Sequence, residues 1–149
     1  MDLTGRVTAE LKTAMLARDA FATDVLRGLK SAIQYEAVAQ NKRDEGLGDE
    51  EVEKVIAREV KKRNDAIELY ISAGDKERAE KEEAEAEILL EFLPEQLSED
   101  ELEAIVDQVI AAGGYDQKMM GRAISEVKAE VGTRAEGGLI AKLVKERLQ

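Results

Sequence analysis

Large apolar residues recur at intervals of three and four along nearly the whole chain, and a single proline interrupts them. Leu3, Val7, Leu11 and Met15 stand at strict i,i+4 spacing. Leu29, Ile33 and Ala37, then Val52, Val55, Ile56 and Val60, keep the same period, as do Leu102, Ile105, Val106 and Val109. A period near 3.6 lines such residues up on one face of a helix; in a strand the faces alternate every second residue. Aromatic residues make up 3% of the chain, which argues further against a sheet. The expected fold is all-α.

Helix boundaries follow from capping chemistry. Asp19 is placed to cap a second helix running to about Asn41, whose stripe is Val25 or Leu26, Leu29, Ile33 and Ala37. Residues 42–48 lack periodicity and hold two glycines, so they read as a loop. Asp49 opens a third helix with Val52, Val55, Ile56, Val60, Ile67, Tyr70 and Ile71. Gly74 ends it at the left-handed position beyond the last turn. Asp75 caps a fourth helix, rich in charge and then in Leu, which Pro94 stops. Ser98 with Glu101 forms a capping box for a fifth helix ending at Gly113-Gly114. Asp116 caps a sixth helix, with Met119 or Met120, Ala123, Ile124, Val127 and Val131 on its apolar face. Residues 132–138 form a turn, and Leu139, Ile140, Leu143, Val144 and Leu148 belong to a last helix. The predicted organisation is an N-terminal bundle of about four helices over residues 1–93, a hinge at 94–97, and a C-terminal lobe of about three short helices over 98–149.

The residue inventory excludes much chemistry. With no Cys and no His, there is no thiol nucleophile, no Ser-His-Asp triad, and no Cys- or His-ligated metal site. No catalytic residue, cofactor or metal is assigned. Glu82, Glu83, Glu85 and Glu87 are read as a solvated helix face, since no calcium-loop spacing accompanies them. Arg58, Lys61, Lys62 and Arg63 are read as surface ion-pair partners of Glu59 and Asp65. No apolar run approaches the ~18 residues of a membrane span, and a soluble, cytoplasmic protein with no membrane partner is expected.

Net charge is −11, which repels polyphosphate at long range. The charge is unevenly spread. Residues 1–97 hold 23 acidic and 15 basic side chains, whereas residues 116–149 hold 5 and 7. The candidate anion contacts of this basic stretch are Lys118, Arg122, Arg134, Lys142 and Lys145. Lys118 and Arg122 are four apart and share a helical face, and Lys142 and Lys145 are three apart. Gly132, Glu136 and Gly137 are assigned to the turn before the last helix, with Glu136 as its cap. Two readings of that turn stand: a tight interhelical connection, or a phosphate-binding helix start.

Several short motifs share one order with a known family. Phe92-Leu93-Pro94-Glu95-Gln96-Leu97-Ser98 followed by Glu101-Leu102 resembles the Tyr-Leu-Pro-Glu-Gln-Leu-Ser-x-x-Glu-Leu junction of GatB/YqeY proteins. Met120-Gly121, Arg134-Ala135-Glu136-Gly137 and Leu143-Val144-Lys145 resemble that family's later motifs, and Leu26-Arg27-Gly28-Leu29-Lys30-Ser31-Ala32-Ile33 its second helix. Thr133 stands where the family has Gly, and Glu136 where it has Asp. The resemblance covers essentially the whole chain. It implies kinship of the C-terminal half with the tail domain of GatB, one component of the tRNA-dependent amidotransferase, a carbon–nitrogen ligase with glutamine as amido-N-donor. That tail holds the tRNA elbow and carries no catalytic group. The implied partners are tRNA and the aminoacyl-tRNA amidation machinery. The implied role is a tRNA-binding accessory protein without complete chemistry of its own. A helical protein-interaction module with no RNA ligand is the alternative, favoured by the acidic N-terminal helices.

Overall fold

Most helices begin where a short polar side chain reaches backbone donors that the helix itself leaves free. The computed structural model describes residues 1–149. In α1 (Leu3–Leu16) the Asp2 carboxylate accepts from Gly5 N at 2.7 Å. In α2 (Ala20–Ala39) Asp19 accepts from Ala22 N at 3.0 Å. α3 (Asp49–Ser72) has no side-chain cap at Gly48. Its first residue, Asp49, accepts instead from Leu3 N at 2.9 Å, which fastens the starts of α1 and α3 together. In α4 (Lys76–Leu90) Asp75 accepts from Arg78 N at 3.1 Å. α5 (Glu99–Gly113) carries the complete capping box expected from Ser98 and Glu101. α6 (Met120–Val131) follows a 3₁₀ turn at Gln117–Met119 capped by Asp116, and α7 (Gly137–Leu148) completes an all-α chain.

The chain divides into two compact units, Met1–Leu93 and Pro94–Gln149. In the first, Val7, Leu29, Val52, Ile56 and Leu89 are almost wholly removed from water and join α1, α2, α3 and α4 into one core. Each such side chain contributes roughly 1.5–3 kcal/mol by burial. Ala79 and Ala86 form the small buried face of α4. Small side chains there let α4 lie close to α3, its main neighbour.

Departures from the apolar stripes have geometric causes. Ala14, not Met15, is the last buried residue of α1, and Met15 is 49% exposed. A strict four-residue step turns about 40° too far on a helix of 3.6 residues per turn, so three steps carry Met15 off the core face. In α3 full burial stops at Val60; Ile67 and Tyr70 are half-buried, and Ile71 is 61% exposed. α4 ends at Leu90, before Pro94 intervenes. Phe92 N and Leu93 N then donate to Leu89 O and Leu90 O, and both side chains turn into the core. Of the acidic cluster, Glu83 and Glu87 are solvated, but Glu82 and Glu85 are half-buried. Burial, and then the neighbouring Glu85, pushes the Glu82 carboxyl above its ordinary range. The basic turn of α3 is ion-paired as expected, with Arg58 on Glu36, Lys61 on Asp65, and Lys62 and Arg63 on Glu59.

Four helices share one closure, seen in α5 at Gly114 with Tyr115 N donating to Ile110 O, and in the first three helices. After α1, α2 and α3 a left-handed residue is followed by a donor that reaches back five positions: Asp19 N to Ala14 O, Lys42 N to Ala37 O, and Asp75 N to Tyr70 O. The left-handed residues are Arg18 (φ 56°), Asn41 (φ 56°) and Gly74 (φ 77°). Only Gly occupies this region without a steric cost. Replacing Arg18 with Gly is therefore expected to stabilise the N-terminal unit by about 0.5–1 kcal/mol, and Gly74→Ala to destabilise it by about 1 kcal/mol. Urea midpoints of the two variants should move in opposite directions.

Candidate nucleic-acid interface

The C-terminal unit is organised around a seam of valines and leucines. Leu102, Val106, Ala123, Val127, Ile140, Leu143 and Val144 are essentially inaccessible and bring α5, α6 and α7 together. With these residues inward, charged side chains fall on the outer faces. Lys118 and Arg122 are exposed at the start of α6, and Lys142 and Lys145 are exposed on α7. None of these four is ion-paired. The cation that is so engaged is Arg147, which binds Asp107 at 2.8 Å and Glu103 at 3.8 Å and ties α7 to α5.

Lys118 and Arg122 border one open depression of about 650 Å³, with Met119, Gly121, Ser125 and Glu126. Lys118 stands in the 3₁₀ turn Gln117–Met119 and not on the α6 face expected for it, while Arg122 is in the first turn of α6. Tyr115 reaches the same depression, and its hydroxyl donates to the Glu126 carboxylate. That bond, with a smaller contribution from burial, raises the phenol above its ordinary range. Gly113 and Gly114 make this arrangement accessible. Gly114 takes the left-handed conformation that ends α5 (φ 60°), while a Cβ at Gly113 would overlap the Tyr115 ring. The only sequence signal is a pair of glycines before a lone tyrosine, and periodicity reads them as no more than a helix stop.

The turn between α6 and α7 is a tight interhelical connection, without the cap expected of Glu136. Gly132 adopts φ 60° and ψ −133°, a conformation reserved almost wholly for Gly. Residues 132–134 form a 3₁₀ turn. Arg134 is half-buried and folds back on α6: its Nε donates to Val131 O and one terminal nitrogen to Glu130 O, each at 3.2 Å. Two of its donors therefore close a helix end that would otherwise leave bare carbonyls. Arg134 O accepts from Leu97 N at 2.9 Å, and the Gln96 amide donates to Thr133 O at 3.0 Å, so the entry segment of the unit is stitched to this turn. Glu136 occupies the cap position of α7 but its side chain makes no bond to the helix start. The expected cap is thereby corrected: Glu is one methylene longer than the Asp that suits this position. Gly137 belongs to α7 itself, and the Lys128 side chain passes beside it.

These geometries separate the two glycines of the turn. A Cβ at Gly132 meets nothing within 4 Å, so the cost of Gly132→Ala is conformational, about 1–3 kcal/mol. At Gly137 a Cβ meets only the flexible end of Lys128, at 3.3 Å, and Gly137→Ala is expected to be neutral or slightly stabilising. Chemical denaturation of both variants checks the contrast.

Glu101 gives the unit an acid sensitivity. Its carboxylate accepts from Ser98 N at 3.0 Å, and this bond holds its pKa below the ordinary 4.5. A lowered folded value stabilises above the unfolded one. The contribution is fully present above about pH 4.5 and disappears as pH falls through the folded value. Glu101→Gln should therefore lessen the acid-induced loss of thermal stability relative to wild type, with little pH dependence added near neutrality.

No group of three or more acidic side chains is placed to hold a metal ion, and no helix is long and apolar enough to cross a membrane. No curated protein matches the chain. The family described as Yqey-like protein matches residues 4–148, which takes in all seven helices, the Pro94–Ser98 junction and the Arg134–Gly137 turn. The chain belongs to the YqeY-like family.

Proposed function

We propose that the protein is a tRNA-binding accessory factor of aminoacyl-tRNA amidation, acting in the cytoplasm, with RNA held by the C-terminal unit. The observation that carries this reading is the set of four unpaired, solvent-facing cations, Lys118, Arg122, Lys142 and Lys145, in a chain whose net charge is −11. Internal pairing consumes the basic turn of α3, whereas these four cations stand in residues 116–149, which hold 7 bases against 5 acids, and this local excess suits an external anion. Phosphate is the fitting one. The few aromatic side chains, three Tyr and two Phe in all, favour contacts to the backbone over stacking on a run of bases.

Within this reading Arg134 shapes the turn and contributes to binding chiefly by holding α6 and α7 in place. Catalysis is left to partners. The chain has neither His nor Cys, and the nucleotide-binding loop needed to activate a carboxylate with ATP is missing from its sequence. A protein-interaction role is favoured by a different observation: Tyr35 is 79% and Leu69 72% exposed on the N-terminal unit. Both roles are compatible in one accessory protein, with RNA on one unit and protein on the other.

A salt titration of tRNA binding tests the assignment. Affinity should fall with log salt at a slope of about −0.7 to −0.9 per neutralised phosphate. Lys142→Ala with Lys145→Ala should weaken binding to all tRNAs alike and flatten the slope by roughly two contacts. Absence of binding at low salt, or an unchanged slope in the double variant, would transfer the role to the protein-interaction face.

A further inference from the structure

The depression at the start of α6 holds more than cations. Glu126 lies one helical turn, about 5.4 Å along the axis, beyond Arg122 on α6, and Lys118 lies in the 3₁₀ turn that precedes the helix. A carboxylate beside two cations would repel phosphate if it were free to reach it. Here it is turned to Tyr115, whose ring is seated over Gly113 and whose hydroxyl occupies part of the carboxylate's accepting capacity. The remaining oxygen positions can only accept. Gly121 is exposed, and a Cβ there would meet nothing within 4 Å. No internal packing requires glycine at this position, and its effect is to keep the surface low between the two cations. Met119, 38% exposed, supplies an apolar rim. A ligand that fits must therefore present an anion at one end and a hydrogen-bond donor about one turn away.

We propose that this depression seats one ribonucleotide, with Lys118 and Arg122 on its phosphate and the Tyr115-held carboxylate of Glu126 accepting from the ribose 2′-hydroxyl. The inference rests on the RNA-binding reading and goes beyond it by assigning discrimination between RNA and DNA to a named acceptor. Phosphate contacts alone do not distinguish the two polymers, whereas the 2′-hydroxyl is a donor that DNA lacks.

Three labelled probes of one hairpin sequence, as RNA, 2′-O-methyl RNA and DNA, test this by fluorescence anisotropy at low salt. The 2′-O-methyl probe keeps the RNA helix geometry but lacks the donor. The full-length protein is expected to bind RNA about tenfold more tightly than either other probe, the effect of one hydrogen bond to a charged acceptor. Glu126→Ala, its fold verified by circular dichroism, should erase that preference while leaving DNA binding equal or stronger. Lys118→Ala with Arg122→Ala should weaken all three probes. Equal binding of RNA and 2′-O-methyl RNA, or a preference that survives Glu126→Ala, would overturn the 2′-hydroxyl assignment and leave RNA binding standing. Failure of all three probes to bind would remove the RNA-binding reading together with it.

Discussion

The geometry of the C-terminal unit depends on how the chain turns between α6 and α7. Gly132 takes a conformation that side chains resist, and Arg134 then lies back over the last carbonyls of α6. This places Arg134 O and Thr133 O where Leu97 N and the Gln96 amide can bind them, at 2.9 and 3.0 Å. Gln96 precedes Thr133 by 37 positions in sequence. A local conformational choice at one glycine thus becomes the tertiary clasp that sets α5 against α6 and α7. The valine seam supplies most of the stabilisation, but a seam of similar residues is permissive about register. The hydrogen-bonded turn selects one arrangement, and with it the outward placement of the basic residues.

The same logic bears on electrostatics. In the N-terminal unit Lys42 and the basic turn of α3 are paired internally: Lys42 on Glu51, Arg58 on Glu36, Lys61 on Asp65, and Lys62 and Arg63 on Glu59. In the C-terminal unit Arg147 is absorbed in this way and Arg134 is engaged by carbonyls. Exposed ion pairs contribute little to stability, so their value lies in what they conceal. The basic turn of α3 is screened from an approaching polyanion, and Lys118, Arg122, Lys142 and Lys145 are not. A protein with a strongly negative total charge can in this way keep a face for phosphate while rejecting nonspecific contact elsewhere.

Much of this is legible in the sequence. The helical period identifies the all-α class, and Asp19, Asp75 and Ser98 identify three helix starts, because a short polar side chain at a cap acts on donors two or three residues away; Asp116, expected to cap the sixth helix, caps instead the 3₁₀ turn before it, and α6 starts at Met120 without a side-chain cap. Lys118 and Arg122 line one depression, but through a 3₁₀ turn that the i,i+4 spacing does not announce. Family membership follows from motifs lying in the right order. What escapes is non-local or rotameric. Nothing in Arg18 announces a left-handed backbone, which the closure of α1 imposes. The turning of Arg134 onto Val131 O and Glu130 O is a choice among side-chain conformers. Whether Glu136 caps α7 depends on a methylene's length. The Tyr115–Glu126 bond joins residues 11 apart, across a helix break. Met15 follows the stripe in sequence but has rotated off the core face, and Ile71 lies beyond the last fully buried residue of α3.

The proposed function puts the nucleic-acid face on the C-terminal unit and none on the N-terminal unit. Backbone amide hydrogen exchange, measured on the full chain with and without saturating tRNA, tests it most directly. The account predicts added protection confined to residues 116–149, strongest at the start of α6 and along α7, with residues 1–93 unchanged. Protection concentrated on α2 or α3, or no change anywhere at a tRNA concentration where binding is independently observed, would contradict it.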